Sequence, residues 1–334
     1  MKIRYYLLAA GAMFLMASCS EDSLDEKSIF PDETTANPTE LDKWLEVNYQ
    51  QPYNIQLKYR FEFKESDESK NLAPARYDKS IALAKLTKYL WLESYEELKG
   101  RDFIRQYCPK IMHFVGSYGY NSDGSVTLGV AEGGMKITLY NVNNIDYENP
   151  DIEFLNYWFF KTMHHEFAHI LHQTKPYPVN FNEISAANYQ SESWVNLDEN
   201  EWLALGFITD YASRETQEDF VEIIANYITH DQAWWNEQLE KAVKFNYKGT
   251  TAAGASIEKA YYGVQPEEAQ LKADGIATVT STDIDRSGRG YIETKLDIVR
   301  DWLKTAWEID LDKLREIVQR RSDNVTLLDL QTLN

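Results

Sequence analysis

Residues 163–172 read Met-His-His-Glu-Phe-Ala-His-Ile-Leu-His and contain the pattern His-Glu-x-x-His, which begins at His165 and ends at His169. The spacing of apolar residues around this stretch predicts a helix over about residues 152–173, which ends before Pro176. Positions four apart lie one turn apart on the same face of a helix, so both imidazoles can bind one ion. Because imidazole is a common zinc ligand, this segment is the candidate active-site helix.

A catalytic zinc site normally has three protein ligands, so a third ligand must come from elsewhere in the chain. The metzincin pattern would need Gly at position 172 and His at position 175, but the chain has His172 and Lys175 there. The alternative is a carboxylate on a later helix, predicted over about residues 216–229. That helix carries Glu218 and Glu222 one turn apart on a shared face, and spacing alone does not choose between them. A solvated acidic helix face would also explain both residues.

Further polar residues near the motif suit the chemistry of a zinc site. Glu166 follows His165 and could take a proton from a water molecule that attacks a carbonyl carbon. Tyr211 lies seven residues before Glu218, and its phenol could donate to a developing oxyanion. If Glu222 is not itself a ligand, its carboxylate could accept a hydrogen bond from a ligand histidine and so orient that ring.

The two remaining histidines of the stretch have less specific interpretations. His164 points away from the ion if His165 binds it, so we expect its ring to be packed or hydrogen-bonded. His172 lies near the end of the predicted helix, where a partly exposed cation would suit the helix dipole. A place for His172 along the cleft is the alternative.

Two strings of the sequence resemble known metallopeptidases. The arrangement Tyr-x6-Glu-x-Phe-x-Glu at residues 211–222, downstream of His-Glu-Phe-x-His, resembles the gluzincin centre of lethal-factor-type metallopeptidases. Residues 164–173 (HHEFAHILHQ) and 206–211 (GFITDY) resemble the zinc-binding metallopeptidase lipoproteins of Bacteroidetes, which are often encoded beside outer-membrane glycan-uptake machinery. The resemblance covers nearly the whole chain and is sharpest in these segments.

This resemblance implies a Zn²⁺ cofactor and a role for each site residue. It makes His165, His169 and Glu218 the zinc ligands. It makes Glu166 the general base and Tyr211 the donor that stabilises the transition state. The substrate that it implies is a peptide or protein.

The order of the predicted elements, strands first and helices after, indicates an α+β fold. We expect a zincin-like metallopeptidase domain over residues 41–334, with an N-terminal mixed or antiparallel sheet subdomain and a C-terminal helical subdomain. Strands are predicted over residues 53–63 and 103–115, and residues 248–289 are expected to be mostly irregular. Residues 126–142 predict a hairpin whose glycines would let a substrate backbone approach an edge strand, although an ordinary hairpin explains these glycines equally well.

The N-terminal residues 1–18 have the features of an export signal, namely a basic start, a short apolar run and small residues at its end. Residues 16–19, Met-Ala-Ser-Cys, resemble a bacterial lipobox, which makes Cys19 the lipidated first residue of the mature protein. Ser-Glu-Asp at residues 20–22 resembles the acidic surface-export tag of Bacteroidetes lipoproteins. Residues 19–40 are polar and predict a flexible tether.

These features predict an outer-membrane lipoprotein that is exposed on the surface of a Gram-negative cell and bound to the membrane through its lipid alone. An ordinary secretory signal with a chance cysteine is the alternative. The formal net charge of −19 disfavours nucleic acid as a partner, because it repels phosphate backbones.

Three hypotheses for function follow from these observations. The leading one is a surface-anchored zinc-dependent metallopeptidase that hydrolyses peptide bonds with a metal-activated water. The second is a surface binding lipoprotein of a glycan-uptake assembly with a structural or vestigial zinc site. Trp234 and Trp235 could stack on sugar rings in such a protein, although core packing explains them as well. The third is a peptidase that acts on one protein partner in the same envelope.

Overall fold

The computed structural model describes residues 37–67, 69–121, 126–127, 129–132 and 135–334. The predicted signal segment, Cys19 and the predicted tether before residue 37 lie outside the described residues. Leu41–Asn334 forms one compact unit. None of the helices in the described ranges combines the length and the hydropathy that a membrane-spanning segment requires.

The strands of the described chain form small sheets. They are β1 (Gln56–Lys58), β2 (Ile111–Phe114), β3 (Gly119–Tyr120), β4 (Val126–Thr127), β5 (Gly129–Glu132), β6 (Lys136–Leu139), β7 (Lys244–Thr250), β8 (Ser256–Tyr262) and β9 (Thr278–Asp285). A mixed sheet has the order β1-β2-β6-β5, in which β1, β2 and β6 are parallel and β5 is antiparallel to β6. Strands β3 and β4 pair with each other, and an antiparallel sheet has the order β8-β7-β9.

Helices make up most of the remaining structure, and some are joined without a break by π-helical turns. They are α1 (Glu40–Leu45), α2 (Gln51–Tyr53), α3 (Tyr77–Thr87), α4 (Glu93–Lys99), α5 (Arg101–Tyr107), α6 (Ile152–Leu155), α7 (Lys161–Thr174), α8 (Glu201–Leu205), α9 (Thr216–Thr229), α10 (Gln232–Lys241), α11 (Glu268–Ala273), α12 (Ser287–Trp307) and α13 (Leu311–Asp323). The π-helical turns are Glu46–Gln50, Lys88–Leu92 and Asn156–Phe160. The predicted α+β class is confirmed.

Both early strand predictions are wrong in part. Residues 53–63 contain only the short strand β1, and residues 103–115 begin with helix α5 and become a strand only at Ile111. Phe103 and Tyr107 are four residues apart, and their rings meet at 5.3 Å between centroids. A spacing of four residues is typical of a helix face, but aromatic residues also favour strands. The sequence alone therefore does not distinguish a helix from a strand here.

The expectation of an irregular segment over residues 248–289 is also wrong, because most of it folds into β7, β8 and β9 with helix α11 between. The predicted C-terminal helical subdomain therefore contains a sheet. In β7 only one face is apolar, where Phe245 and Tyr247 are buried between neighbours that are half-buried or exposed. Every residue of β9 is exposed, so this strand has no apolar alternation by which sequence patterning could find it.

The predicted hairpin forms between β5 and β6, with Gly129 opposite Leu139 and Glu132 opposite Lys136. Strand β4, at the start of the predicted hairpin, pairs instead with β3. Strand β5 is the outer strand of the described mixed sheet, and it passes over the first turn of α7. A Cβ atom on Gly129 would lie 2.6 Å from Thr162 Cγ2, so only glycine permits this close packing.

Helix α7 is anchored in the main hydrophobic core by Phe167. The Phe167 ring makes edge contacts with Trp91 and Tyr95 at centroid distances of 5.5 and 4.9 Å, and with Phe103 at 6.0 Å. On the opposite side, α7 packs along α9. The helix that carries the histidine pair is thus held between an aromatic cluster and a second helix.

Candidate metal centre

Three side-chain atoms converge where α7 and α9 meet. His165 Nε2 and His169 Nε2 lie 3.2 Å apart. Glu218 Oε2, from the first turn of α9, lies 3.1 Å from the first nitrogen and 3.3 Å from the second. Within the described residues, these three side chains form the group whose donor atoms could hold a metal ion.

The size of this triangle fits a tetrahedral zinc site. Zinc bonds of about 2.0–2.1 Å place neighbouring ligand atoms of a tetrahedron about 3.3 Å apart. The observed sides of 3.1–3.3 Å match that spacing, and two imidazoles with one carboxylate are a donor set that zinc accepts in catalytic sites. Two imidazole nitrogens that face each other so closely need a cation or a proton between them, because their lone pairs would otherwise repel.

Electrostatics at the centre favour positive charge. Burial acts to lower the pKa of His165, but hydrogen bonds to Glu218 and Glu222 outweigh it and raise the pKa to about 9. Burial likewise acts to raise the pKa of Glu218, whereas hydrogen bonds from His165 and His169 lower it to about 2. The same arrangement of carboxylates would stabilise a divalent cation.

Glu222 lies behind His165 and does not join the triangle. Its carboxylate accepts a hydrogen bond from His165 Nδ1 at 2.8 Å, which leaves Nε2 free to bind an ion. It also accepts from Thr209 Oγ1 at 2.7 Å and pairs with Lys161 Nζ at 3.3 Å. Burial alone would raise the pKa of Glu222, but the charge of Lys161 and these hydrogen bonds lower it. Glu222 is therefore a fixed anion that orients the His165 ring.

His172 has a position that differs from the expectation of a partly exposed cation. It is 6% exposed, and its Nε2 lies 2.9 Å from His169 Nδ1. Burial lowers the pKa of His172 to about 4, so the ring is neutral at neutral pH and can accept the His169 Nδ1 proton. The sequence signal for this contact is the spacing of three residues between His169 and His172, which places both rings on one face of the helix.

His164 is packed and hydrogen-bonded, away from the triangle. Its Nδ1 lies 2.9 Å from Tyr95 Oη, and burial lowers the pKa of this imidazole to about 3.

Glu166 and Tyr211 lie beside the candidate ligands. Glu166 is half-buried on α7, and its charge contributes to the raised pKa of His165. The Tyr211 ring lies 6.0 Å from the His165 ring, at the start of the turn Tyr211–Ser213. Burial, together with the charge of Glu218, raises the pKa of Tyr211 to about 12, so this phenol keeps its proton at neutral pH.

Comparisons with known proteins agree with a zinc centre. A family model described as "Putative zinc-binding metallo-peptidase" matches residues 34–312. A crystal structure from Bacteroides caccae, also described as a putative zinc-binding metallo-peptidase, is 37% identical with a TM-score of 0.67 and covers 88% of this chain and 96% of that chain. No curated protein matches the chain.

The contact between His172 and His169 generates a prediction for zinc affinity. We expect His172→Leu to weaken zinc binding about 10–100-fold, because loss of a partner that orients a ligand histidine typically has this effect. A competition titration with a chromophoric chelator measures the change. His230→Leu is the matched control, since His230 stacks on Trp234 and takes no part in the triangle. Unchanged affinity in His172→Leu would show that the histidine contact has no orienting role.

Proposed function

This chain belongs to the family of zinc-binding metallopeptidases, and from that premise we propose that it hydrolyses peptide bonds at the centre formed by α7 and α9, as a gluzincin of the His-Glu-x-x-His type. The observation that carries the proposal is the triangle of His165, His169 and Glu218 donor atoms, 3.1–3.3 Å apart, with Glu166 and Tyr211 beside it. We assign the three triangle residues as zinc ligands.

When bound, zinc supplies a Lewis acid that polarises the peptide carbonyl and lowers the pKa of water. The chain supplies the remaining groups. Glu222 holds the His165 ring through Nδ1, and His172 does the same for His169. Both ligand rings therefore present Nε2 in a fixed direction.

Glu166 and Tyr211 move and hold the protons of the reaction. The Glu166 carboxylate takes a proton from the water whose oxygen attacks the carbonyl carbon, and passes it to the nitrogen that leaves as the amine. The Tyr211 hydroxyl donates a hydrogen bond to the carbonyl oxygen as negative charge develops there. Breaking the carbon–nitrogen bond leaves a carboxyl product and an amine product.

The substrate is a peptide or protein segment in extended form. Strand β5 lies at the outer edge of the described mixed sheet, next to α7, where an extended backbone can add as a further strand. Whether the physiological substrate is a nutrient or one protein of the same envelope is decided by identification of cleaved proteins.

The alternative of a glycan-binding lipoprotein with a vestigial zinc site has weaker support. Trp235 is buried in the main core, and Trp234 stacks on His230 at a ring distance of 3.8 Å, so these two rings have packing partners. A structural zinc site also needs neither Glu166 nor Tyr211. Polysaccharide binding by the zinc-loaded protein without hydrolysis of peptides or glycoproteins would favour this alternative.

We further propose that the protein is a lipoprotein of the outer membrane, exposed on the cell surface and bound through lipid on Cys19. The lipobox-like residues 16–19 and the acidic residues after them support this location. Components of a glycan-uptake system are the proposed neighbours in that membrane.

The catalytic proposal predicts that loss of the proton-transfer groups lowers the rate and leaves the zinc content unchanged. Glu166→Gln should bind zinc as the wild type does and lower kcat by about 10²–10⁴-fold, because the water loses its proton acceptor. Tyr211→Phe should lower kcat by about 10²–10³-fold with little change in KM. Hydrolysis of a fluorogenic peptide library and metal analysis measure both quantities. Glu153→Gln, at an exposed position on α6, is the control. Wild-type kcat in Glu166→Gln would contradict the mechanism.

The anchoring proposal predicts that Cys19→Ala abolishes lipidation and moves the protein from the membrane fraction to the soluble fraction. Mass spectrometry of the N-terminal peptide and fractionation of the cells measure this. Ser20→Ala, beside the lipidation site, should leave the protein in the membrane fraction. A Cys19→Ala protein that stays in the membrane fraction would refute the anchor.

A further inference from the structure

Lys295 and Asp219 form an ion pair that is fully buried away from the metal centre. Lys295 Nζ, from α12, lies 2.7 Å from Asp219 Oδ2, on α9, and both side chains are 0% exposed. Burial of two charges is costly, and apolar residues of similar volume often replace such a pair with no loss of stability. The pair therefore calls for an explanation other than stability.

The ammonium of Lys295 also holds the segment that leads to Tyr211. Lys295 Nζ donates to the Gly206 carbonyl oxygen at 2.6 Å and lies 4.3 Å from the centre of the Phe207 ring. Gly206 ends α8 with a φ of +95°, and a Cβ atom there would lie 2.7 Å from Tyr291 Cβ. The turn at Gly206 thus packs directly on α12.

Asp219 connects the same ammonium to the third candidate ligand. Asp219 follows Glu218 in the first turn of α9. Its Oδ2 also accepts a hydrogen bond from Tyr189 Oη at 2.7 Å, and its Oδ1 has no hydrogen-bond partner among the described residues. Lys295 and Tyr189 therefore hold this carboxylate by a single oxygen.

We propose that Lys295 is a positioning residue that fixes Glu218 and Tyr211 relative to each other. Its ammonium bonds to the neighbour of Glu218 on one side and to the turn before Tyr211 on the other. The segment between Gly206 and Tyr211 also carries Thr209, which donates to Glu222. Lys295 bonds to Asp219 and Gly206, which lie outside the donor-atom triangle, so it acts through these backbone segments. The inference rests on the proposed peptidase function.

A lysine suits this position because its ammonium has three donors on a compact head. One donor serves the Asp219 carboxylate and another serves the Gly206 carbonyl. A neutral side chain of similar length, such as methionine, fills the same space but makes neither bond. Substitution of Lys295 by methionine therefore removes the two bonds while the volume of the side chain is nearly kept.

The test compares Lys295→Met with the double variant Lys295→Met/Asp219→Leu in the full chain. The single variant leaves a buried carboxylate without its cation and should lower Tm strongly. The double variant removes both charges and should recover most of that Tm. We expect zinc affinity in the double variant to stay about 10-fold or more below that of the wild type, with kcat reduced and KM little changed.

A milder variant keeps the inference testable if the double variant does not fold. Lys295→Gln keeps a hydrogen-bond donor but has no charge and is one atom shorter, so it cannot hold Asp219 and Gly206 together. Its Tm should fall less than that of Lys295→Met, while zinc affinity falls by a few fold. Wild-type zinc affinity and kcat in the folded double variant, or in Lys295→Gln, would overturn the positioning role.

Lys58→Met is the matched control for loss of a nearly buried lysine. Lys58, on β1, is 8% exposed and bonds to Glu62 and Glu65 at 2.8 and 2.9 Å, on a strand that supplies no site residue. It should lower Tm and leave zinc affinity unchanged. Failure of the wild type itself to bind zinc would instead refute the proposed function. This result differs from the one that would refute only the role of Lys295.

Discussion

The convergence of three donor atoms between two packed helices is the constraint on which the rest of the structure depends. His165 and His169 extend from one face of α7, and Glu218 meets them from the first turn of α9, with atoms 3.1–3.3 Å apart. Each imidazole is oriented through its Nδ1 atom. The buried carboxylate of Glu222 bonds to His165, and the neutral ring of His172 bonds to His169. The aromatic cluster around Phe167 anchors α7 in the core, and the buried ion pair of Asp219 and Lys295 joins α9 to α12.

Much of this centre could be predicted because its signals are local. The helix predicted over residues 216–229 is found as Thr216–Thr229, and the helix predicted over 152–173 is found with a π-helical turn in its middle. Spacing by one turn brought both imidazoles to one face. The choice of Glu218 over Glu222 came only from the family resemblance, because the rotation of α9 relative to α7 is a tertiary property. The structure brings Glu218 to both Nε2 atoms and Glu222 to one Nδ1 atom.

Features that the sequence did not reveal depend on burial or on distant partners. His172 looked like a helix-end cation, because nothing local indicates that its ring is covered. The strand β9 is exposed along its whole length, so it lacks the apolar alternation that predicts strands. Lys295 bonds to residues 76 and 89 positions earlier in the chain, Asp219 and Gly206, and no spacing rule links them. Periodicity predicted the helices that carry the candidate ligands. The buried residues that bond to these side chains or to their neighbours, such as His172 and Lys295, could be identified only from the structure.

The central claim is that His165, His169 and Glu218 hold one zinc ion, and X-ray absorption at the zinc edge tests it most directly. The account predicts nearest neighbours that are all nitrogen or oxygen at about 2.0–2.1 Å, with the outer scattering of two imidazoles. In Glu218→Ala, the number of nitrogen or oxygen neighbours should decrease or the metal should be lost. A sulfur neighbour at about 2.3 Å, or scattering from a number of imidazoles other than two, would contradict the assignment.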